Sequence, residues 1–258
     1  MAVSVGSMKK KYDLIWGRHP VLEALQSDLP LLGITLQEGA RGAVIDRLRQ
    51  EARQKGVPVE RTGLNKIEER APGQKHQGVL ARIEQFNYLT VADLVQKTRQ
   101  KKDLPFLLML DHLQDPHNLG SLLRTASAAG LDGAIIPRDR ACGVTPAVFK
   151  SSAGAVAHLP LARTVNLARE MDYLKKEGFW LAGAEMSAGD PFFEANFNIP
   201  LVLLLGSEGK GLARLLREKC DFLVHIPLKG RVSSLNVAVA GGIIIYEIFG
   251  QRWRQKNI

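Results

Sequence analysis

Three polar, glycine-bearing stretches each follow an apolar run that reads as a β-strand. The first, DHLQDPHNLGSLLRTASAAG (111–130), follows PFLLML. Asn118 suits a helix N-cap, Gly120 permits close approach in the first turn, and Gly130 suits the stop. Leu119, Leu122, Leu123 and Ala126 would form the buried stripe, leaving Ser121, Arg124 and Ser127 off it. Arg124 would then project from a helix that begins at a strand's carboxyl end; an ordinary surface arginine in an ion pair is the alternative. Asp111, His112, Asp115 and His117 cluster around Pro116 without helical ligand spacing, so no metal site is expected there.

The second stretch, LLLGSEGKGL (203–212), places glycines at 206, 209 and 211, where positive φ and close ligand approach are available. Its order, G-x-x-G-x-G, is not the dinucleotide fingerprint, and it lacks the Lys-Ser/Thr ending of a phosphate loop. Glu208 would repel a phosphate, so the loop suits a ligand that carries positive charge or needs acceptors. A plain turn before ARLLREK is the alternative. The third stretch, IPLKGRVSSLNVAVAGGIIIYEIF (226–249), carries Lys229 and Arg231. Ser233, Ser234 and Asn236 follow, at the opening of an almost wholly apolar helix, where they could simply cap it. Gly241 and Gly242 each cost that helix about 1 kcal/mol relative to alanine. Close packing by another helix or a second subunit is therefore expected there.

These stretches must be held by a sheet. PFLLMLD, DGAIIP, FWLAGAEM, PLVLLLG and FLVHIP are continuous apolar runs, as expected for central strands of a parallel sheet covered on both faces. In such a doubly wound α/β unit, ligands bind at the carboxyl ends of the strands, where the three stretches lie. Upstream, GRHPVLEALQS and AVIDRLRQEARQKG read as helices, and LLGITLQEG, VPVERT and GVLARI as strands. The predicted division is an α/β domain over 12–84, a linker over 85–104 containing the basic KTRQKKD and able to carry one short helix over VADLVQK, and a second α/β domain over 105–258.

Of 258 residues, 45% are hydrophobic, which excludes a disordered or fibrous chain. Residues 1–102 hold 18 basic against 11 acidic side chains, and 103–258 hold 17 against 15. The net charge of +9 is thus concentrated in the first part, as if that part grips a polyanion; a solvated basic surface is the alternative. Two cysteines provide neither a disulfide framework nor a zinc site, and they suit a reducing cytoplasm. MAVSVGSMKKKYD lacks a signal peptide's apolar core, and the longest apolar run, 235–249, is shorter than the about 20 residues a bilayer requires. No membrane partner is expected.

Taken in order, N-x-G-x-x-x-R-T-A (118–126), L-G-S-E-G-x-G (205–211) and I-P with S-S-L-N-V-A (226–227, 233–238) resemble the three motifs of SpoU-type RNA ribose 2′-O-methyltransferases. GRHPVLEAL and HQGVLARI resemble the substrate-binding domain of the branch that modifies a guanosine of large-subunit (23S) ribosomal RNA. The resemblance covers nearly the whole chain. It implies an L30e/L7Ae-like first domain and a SPOUT catalytic domain, a parallel α/β sheet whose carboxyl-terminal segment passes through a trefoil knot. It also implies S-adenosylmethionine as methyl donor and a homodimer with the helices of motifs one and three at its interface. Cofactor positions would be Gly206, Ile226 and Leu235, with Gly209, Leu228 and Ser234 as neighbours. Arg124 would be the central catalytic residue, supported by Asn118, Glu208, Ser234 and Asn236. The same chemistry on a transfer-RNA guanosine and a non-catalytic RNA-binding assembly protein are the alternatives. A Rossmann-type methyltransferase is disfavoured by the absence of the glycine fingerprint after an early strand.

Overall fold

A computed structural model describes residues 12–26, 30–100, 104–186 and 190–256. The opening 1–11 and the end of the KTRQKKD run, two segments interpreted above, lie outside the described residues. The chain divides into two units, Met1–Asn87 and Tyr88–Ile258.

In the first unit the order is β1 (Tyr12–Trp16), α1 (Arg18–Gln26), β2 (Leu31–Gln37), α2 (Ala43–Gln54), β3 (Val59–Thr62), α3 (Leu64–Arg70) and β4 (Val79–Glu84). Among the described residues these strands form one sheet in the order β1-β4-β2-β3, with β2 and β3 parallel and the other pairs antiparallel. Both longer helices bury the stripe their spacing predicts: Val21, Leu22 and Leu25 on α1, and Ile45, Leu48 and Ala52 on α2. Just past the end of α2, Gly56 takes a φ of 67°, the left-handed turn that glycine permits there.

The second unit opens with α4 (Val91–Arg99), inside the span expected to be a linker. Val91, Leu94 and Val95 join the same core as Leu107, Met109 and Leu204, so this segment is a structural part of the second unit. A short helix over VADLVQK thus forms, with its one apolar face buried in that core. The remaining elements are β5 (Phe106–Leu110), α5 (Pro116–Ala128), β6 (Gly133–Pro137), α6 (Pro146–Ser151), β7 (Leu161–Thr164), α7 (Leu167–Lys176), β8 (Trp180–Ala184), β9 (Asp190–Pro191), β10 (Leu201–Leu205), α8 (Arg214–Lys219), β11 (Phe222–His225) and α9 (Val237–Lys256).

Among the described residues the strands form one parallel sheet, in the order β7-β6-β5-β10-β8-β11-β9. All five residues of β5 and of β10 are buried, which is why those runs are uninterrupted apolar sequence. Residues from α4, α7 and α8 pack on one face of the sheet. Across the other face α9 crosses α5 closely: a Cβ added at Gly241 would lie 2.5 Å from both Leu122 Cδ2 and Leu205 Cδ1. The expected close packing at this glycine is therefore between helices of one chain. Gly120 does the same for α5 against α6, since a Cβ there would meet Ser151 Oγ at 1.9 Å and Ser152 N at 2.9 Å.

The far end of α9 is anchored by Arg252. Its guanidinium donates to the carbonyls of Leu104 at 2.8 Å, Ile199 at 2.6 Å and Phe197 at 3.2 Å, and stacks 5.0 Å from the Phe106 ring centroid. Burial pushes its pKa down to about 10. Arg252→Ala would strand three carbonyls and is expected to cost about 3 kcal/mol of stability, read by urea unfolding.

Candidate active site

The carboxyl ends of β5, β10 and β11 lead into the three stretches singled out above. Asp111, directly after β5, is 3% exposed and joins the first to the second. Its backbone N–H donates to Leu205 O at 2.8 Å, its Oδ2 accepts from Ala213 N at 2.7 Å, and its Oδ1 holds His112 Nδ1 at 2.5 Å. Sequence reasoning weighed Asp111 only as a metal ligand and missed this bracing role. An acid abutting a wholly apolar strand was the available signal, since such a carboxylate must find partners once buried. Among the described residues no group of three or more His, Cys, Asp or Glu side chains is arranged to hold a metal ion.

Helix α5 begins two residues earlier than its predicted cap. Asp115 is the N-cap, accepting from His117 N at 3.0 Å, and Pro116 occupies the first turn. This corrects the assignment of Asn118, which lies inside the first turn with its amide free for other work. Asn118 Nδ2 donates to Glu208 Oε1 in the second stretch, and Asn118 Oδ1 accepts from Asn236 Nδ2 at 3.0 Å in the third. Asn236 Oδ1 in turn caps α9, accepting from Ala238 N at 2.9 Å and Val239 N at 3.3 Å. One chain of hydrogen bonds, Glu208–Asn118–Asn236, thus links all three stretches.

The second stretch folds back on itself through reciprocal bonds between Ser207 and Gly211, at 3.1 and 3.0 Å. Gly206 is required for space, because a Cβ there would lie 2.0 Å from Gly211 C and 2.2 Å from Leu212 N. Gly209 is favoured for conformation alone, with φ 75° and nothing within 4 Å of an added Cβ. Glu208 sits at the tip, facing Asn118.

Ile226, Leu228 and Leu235 line one cavity of about 100 Å³, together with Glu185, His225 and Ile244. Gly206 and Gly209 are not among its lining residues, although a Cβ added at Gly211 would lie 3.3 Å from Glu185 Oε2. Among the described residues, the segment 227–235 makes no hydrogen bond, and His225 Nδ1 is buried without a partner. Backbone groups and one imidazole nitrogen at an apolar cavity are therefore available to a ligand. Ser234 is exposed, with no polar contact among the described residues.

Arg124 is exposed on α5, one turn from Ser121 and two from His117 on the same face, and has no hydrogen-bond or ion-pair partner among the described residues. His117, Ser121 and Asn118 border an exposed surface with Val239, Ile243 and Tyr246 of α9. Val239 is 52% and Tyr246 50% exposed, so an apolar stripe runs along α9 beside the hydrogen-bonded chain. The two cysteines are free; burial raises the thiol pKa of Cys142 and pushes that of Cys220 up to about 12, which makes both poor nucleophiles. Among the described residues no helix is long and apolar enough to cross a membrane.

Residues 105–246 match the family described as SpoU rRNA Methylase, and residues 14–89 match the one described as RNA 2′-O ribose methyltransferase substrate binding. The Bacillus subtilis (strain 168) protein named "Putative TrmH family tRNA/rRNA methyltransferase YacO" is 40% identical over 245 residues, covering 95% of this chain and 98% of that one. A Staphylococcus haemolyticus protein of the same family name is 41% identical over 239 residues, covering 93% and 96%. The SpoU methyltransferase AviRb from Streptomyces viridochromogenes, solved in complex with AdoMet, superposes with a TM-score of 0.64 at 25% identity, covering 95% of this chain and 92% of its own.

Proposed function

The chain belongs to the SpoU rRNA methylase family, and from that premise we propose that it transfers a methyl group from S-adenosylmethionine to the ribose 2′-hydroxyl of a guanosine in 23S ribosomal RNA. The observation that carries this reading is the Glu208–Asn118–Asn236 chain, which draws three distant stretches together beside the cavity at Ile226, Leu228 and Leu235. The basic excess of the first part of the chain supports RNA as the acceptor.

The residues present fit the donor. The apolar walls at Ile226, Leu228 and Leu235 suit a flat heterocycle, and the unbonded backbone of 227–235 can serve its polar edge. The cavity is close in scale to one that holds a benzene ring, about 150 Å³, so it accommodates a ring rather than the whole molecule. Gly206 and Gly209 shape the neighbouring loop, and Ser234 lies in the exposed segment between Leu228 and Leu235, two residues that line the cavity. When bound, S-adenosylmethionine supplies a sulfonium methyl with a neutral thioether as leaving group. Glu208 places a carboxylate beside the region where that positive charge would lie, held in orientation by Asn118. Asn236 fixes Asn118 and the start of α9 together.

The acceptor hydroxyl is scarcely ionised at neutral pH, so the protein must stabilise developing alkoxide charge. Arg124, free of partners, binds the adjoining RNA phosphate through its two-pronged guanidinium and donates toward the oxygen as it becomes anionic; the O–CH3 bond forms as the S–CH3 bond breaks, and the hydroxyl proton leaves to solvent water late in the step. The exposed stripe of Val239, Ile243 and Tyr246 supports a homodimer in which α5 and α9 meet their counterparts, bringing Arg124 into an enclosed site. The same reading takes the carboxyl-terminal segment through a trefoil knot. It also places the enzyme in the cytoplasm, an environment that two free thiols suit.

The test is transfer of labelled methyl from S-adenosylmethionine to 23S and transfer RNA isolated from cells lacking the protein. Label in 23S RNA that survives alkali as a 2′-O-methylated dinucleotide is the expected result. Label released as a mononucleotide would refute ribose methylation, and label in transfer RNA alone would move the substrate. Deleting residues 1–87 should abolish transfer while calorimetry still detects donor binding; full activity of that truncated chain would contradict the division of labour.

A further inference from the structure

A second hollow, of about 410 Å³, shares Asp111, His112, Ser207 and Glu208 with the site described above and adds Arg140 and Lys210. Its walls are Asp111 and His112 after β5, Arg140 in the turn after β6, and Lys210 in the second stretch. Among the described residues only four non-glycines have positive φ, and two of them, His112 at 55° and Arg140 at 56°, line this one hollow. Left-handed backbone at residues with a Cβ is strained, and such strain collects at ligand sites. The turn is also braced. Cys142 N donates to Leu113 O at 2.7 Å, tying it to the first stretch, and Arg163 Nη2 donates to Arg138 O at 2.8 Å.

Charge then selects the ligand. Glu208, expected above to repel a phosphate, is held by Asn118, and Asp111 by Ala213 N and His112; both keep their charge, so an anion here must sit against the cations and away from these two carboxylates. Arg140 and Lys210 have no hydrogen-bond or ion-pair partner among the described residues. Two free cations therefore face a polar hollow whose volume is within the about 300–1,000 Å³ usual for ligand sites. A guanidinium fork and an ammonium together suit a phosphate. His112, its Nδ1 anchored by Asp111 and its side chain 45% exposed, offers a fixed ring on which a base can stack.

We propose that this hollow holds the nucleotide adjoining the methylated one, with its phosphate between Arg140 and Lys210. The inference rests on the RNA-methylating function proposed above. The other source of such an anion is the carboxylate of the donor, and the test separates the two. In the full-length chain, Arg140→Gln combined with Lys210→Gln is compared with wild type for binding and methylation of unmodified 23S RNA over a salt series, with donor affinity measured by calorimetry. The expected result is a KM for RNA raised at least about tenfold. The slope of log affinity against log salt should become shallower by about 0.7 for each lost contact. Donor affinity should stay unchanged and kcat within about twofold, since the chemistry is elsewhere. Wild-type RNA affinity and salt slope in the double variant would overturn the inference, with the methylation reading intact. Lost donor affinity would overturn it too and reassign the cations to the donor's carboxylate. A wild-type chain that binds no RNA would remove both readings together.

Discussion

Arg124→Ala is expected to lower methyl transfer to RNA by about 10²- to 10³-fold while leaving S-adenosylmethionine affinity within about twofold, the size of effect seen when one donor to a developing oxyanion is removed. The asymmetry follows from placement. Arg124 stands on the exposed face of α5 with Ser121 and His117, and it is not among the residues lining the cavity at Ile226, Leu228 and Leu235. A guanidinium is a planar cation with five N–H donors and no acceptor, so its natural contribution is as a donor to charge. Arg124→Lys should recover part of the activity, because an ammonium keeps the charge but loses the planar two-pronged geometry. The measurements are single-turnover transfer and calorimetric titration of the donor. Collapse of donor binding in Arg124→Ala would falsify a role confined to the RNA side.

Much of the second unit was readable locally. The runs ending at Leu110, Pro137, Ala184, Leu205 and His225 became parallel strands, and the uninterrupted apolar signature matches full burial in β5, β6 and β10. β7 escaped: its four residues include Arg163 and Thr164, and it lies at the sheet edge, where one side needs no neighbour. α4 was legible as a short helix over VADLVQK, but its place in the core was not, since a basic tail follows a buried face of only Val91, Leu94, Val95 and Thr98. Asn118 shows the limit of local reading most clearly. Capping propensity is a property of the residue type and favoured it, yet Asp115 beside Pro116 took the cap. What Asn118 does instead depends on partners 90 and 118 positions away, and those separations are bridged only by the strand order β5-β10-β8-β11.

The two glycines of the second stretch should respond to substitution in opposite ways. Gly206→Ala is expected to weaken S-adenosylmethionine binding at least about tenfold and to take methyl transfer down with it, whereas Gly209→Asn should leave both within a few-fold. At Gly206 the added Cβ would lie 2.0 Å from Gly211 C and 2.2 Å from Leu212 N, backbone atoms that cannot rotate aside. Overpacking of this kind costs about 1–3 kcal/mol, and the cheapest relief is to open the Ser207–Gly211 turn. That carries Glu208 off Asn118 and loosens Gly211 from Glu185, which lines the cavity. At Gly209 an added Cβ meets nothing within 4 Å and only φ 75° is demanding, a conformation asparagine tolerates. Calorimetry on both variants, with circular dichroism to confirm the fold, separates the two effects. Equal loss at both positions would mean that flexibility of the whole loop, rather than the close approach at residue 206, sets donor affinity.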